Sequence, residues 1–500
     1  MQIFQAKVKV VWLVVGLLLL AACREQAVTP EVTVEPATAV PPTTVPVEET
    51  AVALIAEVET EIVAGGRSMG DPYAPELGNT GYDAQHYTIQ IALDPAVKEF
   101  SSTVTIEAEA EVDNLGELSL DFIGFEIESL LVDGVPALFS REDDKLIIQL
   151  PEPLAAGELF TIEVSYAGTP DDRPSRYVPF AESIGLFYGA EETIYVLSEP
   201  DGARFWFPNN DHPKDKATYR FEVTAPEGLT AVSNGTLLAT LEDTPMPDGS
   251  AGTTFVWEHN FPMASYLATI AVGEYERLEG ESSSGVVLRD YVFPDDKAAF
   301  KQSTAVVSEA IEWMSDLFGE YPFEEYGYVT VHAPGVSLET QTMVLLSSGM
   351  LNESTVIHEM AHMWFGDWVS LDSWGEMWRN EGFATYITIL WENRDDPEEV
   401  DLVMEGVRAW LADDGIVQPL LNPPPRRLFS TNSYFGGALM IHDLRQEVGD
   451  EAFFAGLQTY LAEYGGGTAS DAQFQAVMEE ASGQSLEAFF EKWLLEGGLK

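Results

Sequence analysis

The stretch Thr355-Val-Ile-His-Glu-Met-Ala-His-Met-Trp364 organises the interpretation of this chain. Its residues favour a helix, and Asn352 or Ser354 in front of it is suited to cap the helix N-terminus. Gly366 follows the stretch and is typical of a helix end. The sequence therefore predicts one helix over residues 355–364.

Two histidines and a glutamate on this helix form a metal-binding pattern. Residues four apart share a helix face, so His358 and His362 can bind one Zn²⁺ together. Glu359 then lies beside the metal and can take a proton from a zinc-bound water. The pattern predicts one catalytic zinc ion per chain, with Glu359 as general base.

Catalytic zinc needs a third protein ligand, and Glu381 is the candidate. It lies in Asn380-Glu-Gly-Phe-Ala-Thr-Tyr386, on the next helical pattern, and eighteen residues separate it from His362. That length allows a turn and an antiparallel return. By itself Glu381 would be read as a solvated or ion-paired helix carboxylate, but the helix before it favours the ligand role.

Charge and cysteine content exclude several classes. The 500 residues contain 83 Asp and Glu but 25 Lys and Arg, a net charge of −58. Such a surface repels phosphates, so no nucleic-acid partner is expected. The only cysteine is Cys23, which excludes an intrachain disulfide and a cysteine-based zinc site.

The N-terminus has the pattern of an export signal. Lys7 and Lys9 precede the apolar run from Val10 to Leu20, which is short for a membrane span. The following Leu20-Ala-Ala-Cys23 resembles a bacterial lipobox, which implies removal of residues 1–22 and lipidation of Cys23. An ordinary signal peptide or an uncleaved anchor is the alternative. All of these alternatives imply that the chain is exported. The lipobox in particular predicts an extracytoplasmic lipoprotein anchored to the membrane.

The rest of the chain divides by its hydrophobic period. Residues 23–67 are rich in Pro, Thr, Val, Ala and Glu, and we expect a disordered tether there. Residues 68–290 show short alternating runs separated by turn signals, which predicts an antiparallel β sandwich or saddle domain. Residues 291–500 show mostly helical periods, for example over 298–318, 377–393, 437–447 and 486–495. The fold class is therefore multidomain α+β.

The zinc-site sequences resemble a known peptidase family. His-Glu-x-x-His, followed after eighteen residues by Glu within Asn-Glu-Gly-Phe-Ala, resembles the gluzincin aminopeptidases of the M1 family, such as aminopeptidase N and leukotriene A4 hydrolase. Gly81-Tyr-Asp-Ala-Gln-His-Tyr87 is similar to the family's first-strand signature. The resemblance covers nearly everything after the tether. It implies a saddle-like N-terminal domain and a thermolysin-like catalytic domain.

The resemblance also implies roles for residues outside the helices. Tyr434 matches the tyrosine that stabilises the tetrahedral oxyanion. Glu339 matches the glutamate of the Gly-x-Met-Glu-Asn exopeptidase motif, and Glu199 a second carboxylate, so that the two would bind a free α-ammonium group. Gly335 and Leu338 are expected at the same substrate subsite. The motif is imperfect here, since Val replaces its glycine, Leu338 its methionine and Thr its asparagine.

These residues predict a zinc aminopeptidase acting on peptides with a free N-terminus. A thermolysin-type endopeptidase is the first alternative, and a peptide-binding homologue without turnover is the second. Many relatives carry a further C-terminal helical domain, so the resemblance implies a more open cleft here. The five other histidines outside this pattern, among them His212, lack ligand spacing and are predicted to be structural.

Overall fold

A β-rich N-terminal half precedes a mostly helical C-terminal half, which confirms the predicted α+β class. The computed structural model describes residues 62–189, 193–415 and 418–498. The predicted signal segment, Cys23 and all but the end of the predicted tether lie outside these residues. The end of the tether, from residue 62, joins the folded unit, because β1 (Val63–Ala64) pairs in parallel with β4 (Leu115–Asp121).

The other strands are, in chain order, β2 (Tyr82–Asp94), β3 (Val97–Ala110), β5 (Glu126–Val132), β6 (Val135–Pro136), β7 (Leu138–Glu142), β8 (Lys145–Leu154), β9 (Leu159–Gly168), β10 (Gly185–Tyr188), β11 (Ile194–Leu197), β12 (Lys216–Pro226), β13 (Thr230–Ser233), β14 (Thr236–Pro245), β15 (Ala251–Ala264), β16 (Ile270–Gly273), β17 (Glu276–Glu281), β18 (Val287–Val292), β19 (Glu325–Tyr326), β20 (Tyr328–Val331), β21 (Val344–Ser347), β22 (Ser370–Leu371) and β23 (Thr468–Ala469).

The largest sheet has the strand order β14-β15-β12-β2-β3-β9-β5-β6. Buried and exposed residues alternate along β3, β9 and β12, as the sequence pattern predicts for strands that bury one face. Adjacent strands of this sheet run antiparallel to one another, except for β2 and β12, which run parallel. The predicted turn at Asp133-Gly134 joins β5 to β6, and both residues have positive φ (49° and 74°).

A mixed sheet of order β17-β18-β20-β21 leads into the catalytic half. Because β18 pairs in parallel with both β19 and β20, the domain boundary expected at residue 290 falls within a strand. The antiparallel Leu338–Leu345 pair adds one more segment at the β21 edge of this sheet. That edge carries Glu339.

The α-helices of the described residues all follow β18. They are α1 (Lys297–Ser303), α2 (Val307–Phe318), α3 (Glu353–Ala361), α4 (Trp378–Glu392), α5 (Pro397–Asp413), α6 (Gly437–Val448), α7 (Asp450–Tyr464), α8 (Asp471–Ser482) and α9 (Glu487–Glu491). None of them has the length and apolar character that a bilayer crossing requires.

Two helical predictions need correction. The pattern over 298–318 is two helices: α1 ends at Ser303, and a turn over residues 304–306, in which the Val307 N–H donates to the Thr304 carbonyl at 3.1 Å, separates it from α2. The pattern over 486–495 begins as α9 and continues as a π-helical turn over Lys492–Glu496.

The hydrophobic core of the N-terminal half extends into the catalytic half. The cluster that fills the N-terminal sheets also contains Leu338, Leu345, Trp374 and Met377 from the catalytic half. Residues from 62 onward accordingly form one compact unit, so strands of one half can position the site of the other.

Candidate active site

Helix α3 presents His358, Glu359 and His362. Asn352, rather than Ser354, caps it: the Asn352 side chain accepts a hydrogen bond from the backbone N–H of Thr355 at 3.0 Å. The helix ends at Ala361, three residues before the predicted end. The reason is local, because the chain turns after His362 and directs the Phe365 carbonyl back to that imidazole.

Helix α4 carries Glu381 and is buried on nearly all sides. Arg379, 2% exposed, anchors it to the start of α8: its side chain pairs with Glu376 and with Asp471, the latter at 3.0 Å, and donates a hydrogen bond to the Tyr460 hydroxyl at 3.1 Å. This network fixes the helix two residues before Glu381.

Three donor atoms converge between the two helices. The Nε2 atoms of His358 and His362 lie 3.4 Å apart, and Glu381 Oε2 lies 3.2 Å from the first and 3.7 Å from the second. Ligands of a tetrahedral zinc with bonds of 2.0–2.1 Å are separated by about 3.3 Å. Two imidazole nitrogens and one carboxylate oxygen at these separations are a zinc donor set, so the residues fit the ion.

The tautomer of His362 also suits a metal ligand. Its Nδ1 is 3.2 Å from the Phe365 carbonyl, which can only accept, so Nδ1 carries the hydrogen and Nε2 presents a lone pair to Glu381 and His358. Burial lowers the pKa of His362, which keeps the imidazole neutral. Burial would raise the pKa of Glu381, but hydrogen bonding to His358 is the largest of the opposing effects and the pKa is lowered.

A group of carboxylates faces this triangle. Glu339 and Glu359 are 3% and 6% exposed, and each places an oxygen within 4.8 Å of a His362 ring nitrogen. Burial, and then the charge of Glu381, raises the pKa of Glu339 to about 8. Burial, and then the charge of Glu339, raises the pKa of Glu199. Oε1 of Glu199 and Oε1 of Glu339 are both buried and accept no hydrogen bond.

The hairpin between residues 338 and 345 positions Glu339. Leu338 and Leu345 exchange two backbone hydrogen bonds of 2.9 Å, and Thr342, with φ of 66°, closes the turn. Leu338 is 5% exposed because its side chain belongs to the core, so it has little surface for a substrate. Gly335 precedes the hairpin with φ of 68° and open space around its Cα.

A π-helical turn, Asn432–Gly436, brings Tyr434 to the site. The Tyr434 ring lies nearly parallel to the His358 imidazole, with 5.9 Å between centroids. Two glycines allow this approach: a Cβ on Gly437 would lie 2.8 Å from the Trp378 carbonyl oxygen and 2.9 Å from the Gly382 Cα. The start of α6, which follows Tyr434, is therefore in direct backbone contact with α4, which carries Glu381.

Two residues at this site were not anticipated from the sequence. Asp367 is fully buried and neither carboxylate oxygen has a hydrogen-bond partner. Lys216, from β12, donates hydrogen bonds to the carbonyls of Asp367 and Trp368 at 2.8 and 3.3 Å. Asp367 lies in the Trp-rich segment after the histidines, but no local pattern marks Lys216, which is 151 residues away.

Family comparisons agree with this geometry. The Peptidase M1 N-terminal domain model matches residues 83–267, and the Peptidase family M1 domain model matches residues 306–493. Among curated proteins, aminopeptidase M1-B of Oryza sativa subsp. japonica is 26% identical over 82% of this chain and 49% of its own length. Human glutamyl aminopeptidase is 27% identical over 83% of this chain and 46% of its own length. The chain thus spans about half the length of these curated relatives.

A solved structure matches over its whole length. The M1 zinc metallopeptidase of Deinococcus radiodurans is 30% identical, with a TM-score of 0.78 over 87% of this chain and 98% of that one. A mutant of that enzyme with a bound Tyr-Ser-Ala substrate gives a TM-score of 0.79 at 29% identity. Both M1 domain models match this chain, and its fold matches that of a solved M1 enzyme. The chain therefore belongs to peptidase family M1.

Proposed function

We propose that this chain is a zinc-dependent aminopeptidase, which hydrolyses the N-terminal peptide bond of peptides. The triangle formed by the donor atoms of His358, His362 and Glu381 carries the proposal. The general base, Glu359, follows His358 directly on α3, and His362 is the residue after the end of that helix. The named relatives support it, since they are aminopeptidases and M1 zinc metallopeptidases, one with a bound tripeptide.

The hydrolytic roles follow from the side chains. Zn²⁺ bound by the three ligands would supply a Lewis acid that polarises the peptide carbonyl and acidifies water. Glu359 takes a proton from the attacking water and returns it to the leaving amine. The Tyr434 phenol donates a hydrogen bond to the developing oxyanion. Burial, and then the charges of Glu381 and Glu199, raises the pKa of Tyr434, so the phenol keeps its proton at neutral pH.

The preference for a free N-terminus rests on Glu199 and Glu339. Each has a buried oxygen without a hydrogen-bond partner. After burial, the charge of Glu339 is the largest cause of the raised pKa of Glu199. An α-ammonium group would neutralise this pair and occupy both oxygens. It would also set which peptide bond meets Glu359, which makes the enzyme an exopeptidase.

The alternatives are weaker on the same observations. An internal peptide segment, as in a thermolysin-type endopeptidase, would leave the Glu199 and Glu339 oxygens without a cation. A binding protein without turnover would not need the full set of Glu359, Tyr434 and the three ligands.

Membrane anchoring through Cys23 is a separate part of the proposal, supported by the sequence Leu20-Ala-Ala-Cys23 after the apolar run. It makes the protein an extracytoplasmic lipoprotein whose partner is the membrane. Expression with a radiolabelled fatty acid tests it: the wild-type chain should be labelled and sediment with membranes, whereas Cys23→Ser should not be labelled. An unlabelled wild-type chain would refute the anchor.

Hydrolysis of a panel of aminoacyl-naphthylamides by the full chain tests the enzymatic proposal. We expect release that stops with a chelator, returns with zinc and is absent in Glu359→Gln. Folded, zinc-loaded protein that releases no naphthylamine from any free-amine substrate would refute it.

A further inference from the structure

The segment between the two ligand helices, residues 363–377, is held by side chains of the N-terminal half. We name this segment the connector. It contains no proposed ligand, but it joins His362 to the helix of Glu381, so its path sets the separation of those two donors. Two residues of the run that leads into β12, Lys214 and Lys216, contact the connector directly. A third, His212, contacts Asp71, and Asp71 contacts the connector.

Lys216 holds the first part of the connector. Its ammonium donates to the Asp367 carbonyl at 2.8 Å and to the Trp368 carbonyl at 3.3 Å. The Asp367 backbone N–H donates in turn to the His362 carbonyl at 3.0 Å. Two consecutive hydrogen bonds therefore link Lys216 to the backbone of a proposed zinc ligand.

An Asp71–His212 pair holds the second part. Asp71, 1% exposed, accepts hydrogen bonds from the Ser373 hydroxyl at 2.7 Å and from the Trp374 N–H at 3.0 Å. His212 Nδ1 accepts from the Lys214 N–H at 3.2 Å, so the ring hydrogen is on Nε2, which donates to Asp71 at 3.3 Å. Trp374 begins the short 3₁₀ helix that leads into α4.

The third contact is of another kind. Lys214 pairs with Asp372 at 3.1 Å, but the side chains are 29% and 37% exposed. An exposed pair of this sort contributes about 0–1 kcal/mol and restrains little. Lys214 therefore serves as a control for Lys216, because it has the same charge, lies in the same run before β12 and contacts the same connector.

We propose that Lys216 and the Asp71–His212 pair are positioning residues for the metal centre. By fixing both parts of the connector, they hold His362 and Glu381 at the separation of zinc ligands and so strengthen zinc binding. The inference rests on the proposed zinc function, and it assigns to the N-terminal β half a role in the metal site of the catalytic half. Outer-shell contacts of this kind typically change metal affinity by about 10- to 100-fold.

Zinc titration of the metal-free full chain against a competing chelator tests the proposal. Lys216→Met and Asp71→Asn should bind zinc about tenfold or more weakly than wild type. Lys216→Arg, which keeps the charge and the donors, should remain within about threefold, and Lys214→Met within about twofold. The visible spectrum of the cobalt-substituted protein should change in Lys216→Met, because the ligand geometry changes, and be unaltered in Lys214→Met.

The outcomes separate this inference from the proposed function. Folded Lys216→Met and Asp71→Asn with wild-type zinc affinity would overturn the inference alone, as would an equal loss in Lys214→Met. If Lys216→Met does not fold, Ser373→Ala removes the hydrogen bond to Asp71, together with the one that the Ser373 hydroxyl accepts from the Gly375 N–H at 3.2 Å, and should still weaken zinc binding by about threefold. Wild-type affinity in that variant would be equally contrary. A wild-type chain that binds no zinc would refute both proposals.

Discussion

The contact between α4 and the start of α6 offers a sharp test of how the site is assembled. Gly437 has helical backbone angles (φ −59°, ψ −50°), so alanine introduces no backbone strain there. Its Cβ would nevertheless lie 2.8 Å from the Trp378 carbonyl oxygen and 2.9 Å from the Gly382 Cα. Both are backbone atoms that cannot rotate away, and carbon atoms pack at about 3.5–4.0 Å. Gly437→Ala must therefore push the two helices apart by about 0.6–1 Å.

The magnitude follows from two opposing effects. Overpacking of this kind costs about 1–3 kcal/mol, and the helical preference of alanine over glycine returns up to about 1 kcal/mol. We expect Gly437→Ala to lose about 1–2 kcal/mol of unfolding free energy. Tyr434 lies three residues before Gly437 and should move with it. Displacing a catalytic group by about 1 Å can cost about 100-fold, so kcat should fall 10- to 100-fold.

Steady-state kinetics and denaturant unfolding of the zinc-loaded protein measure both effects. The control is Gly406→Ala in α5, where a Cβ would meet no atom within 4 Å. That variant should keep its kcat and gain about 0.5–1 kcal/mol. If Gly437→Ala is as stable and as active as Gly406→Ala, the close contact between α4 and α6 does not position Tyr434.

Three further substitutions test individual roles. Tyr434→Phe removes the proposed oxyanion donor and should lower kcat by about 100- to 1,000-fold, with zinc content unchanged. Glu339→Gln removes one carboxylate from the proposed ammonium site and should raise KM for free-amine substrates by about tenfold or more. The ratio of free-amine to acetylated substrate cleavage should therefore fall. Asp71→Asn should cost the metal-free protein about 2 kcal/mol at pH 7, with the difference disappearing as the pH falls from 4 towards 2.

The sign of the pH effect follows from the hydrogen bonds of Asp71. Burial would raise its pKa, but hydrogen bonds from His212, Ser373 and the backbone N–H groups of Tyr73 and Trp374 outweigh it and lower the pKa from 3.8 to about 2. An acid with a lowered folded-state pKa stabilises the fold above its unfolded pKa and loses that contribution as it is protonated. Urea unfolding of both proteins at several pH values measures it, and a gap that stays constant down to pH 2 would be contrary.

The other two variants have equally plain contrary results. Tyr434→Phe with wild-type kcat would remove the phenol from the mechanism. Glu339→Gln with an unchanged ratio of free to acetylated substrate would remove this carboxylate from amine recognition. Zinc content by metal analysis and unfolding curves show in each case that the fold is intact.

Local patterns predicted the helix that carries the histidines, because the 3.6-residue period alone places His358 and His362 on one face. They did not predict its end at Ala361, which depends on the return of the Phe365 carbonyl to His362. The division of 298–318 into two helices was also missed, because the apolar pattern continues unbroken across the turn over residues 304–306.

Long-range contacts account for the rest. Glu199 reaches the site from the N-terminal half, and only the family resemblance suggested it. Lys216 and Asp71 lie 151 and 303 residues before the connector residues they hold, and no spacing rule connects such positions. The close approach at Gly382 and Gly437 is equally invisible in a single sequence, where a glycine within a helical pattern looks like a weak point.

The most direct test of the account compares one peptide with a free or an acetylated N-terminus, incubated with the zinc-loaded full chain and followed by mass spectrometry. We expect stepwise loss of single residues from the free peptide, at least about 100-fold slower cleavage of the acetylated one, and no internal cuts. Equal cleavage of both peptides, or internal cuts in either, would contradict the central claim that Glu199 and Glu339 direct a zinc-dependent hydrolysis to the first peptide bond.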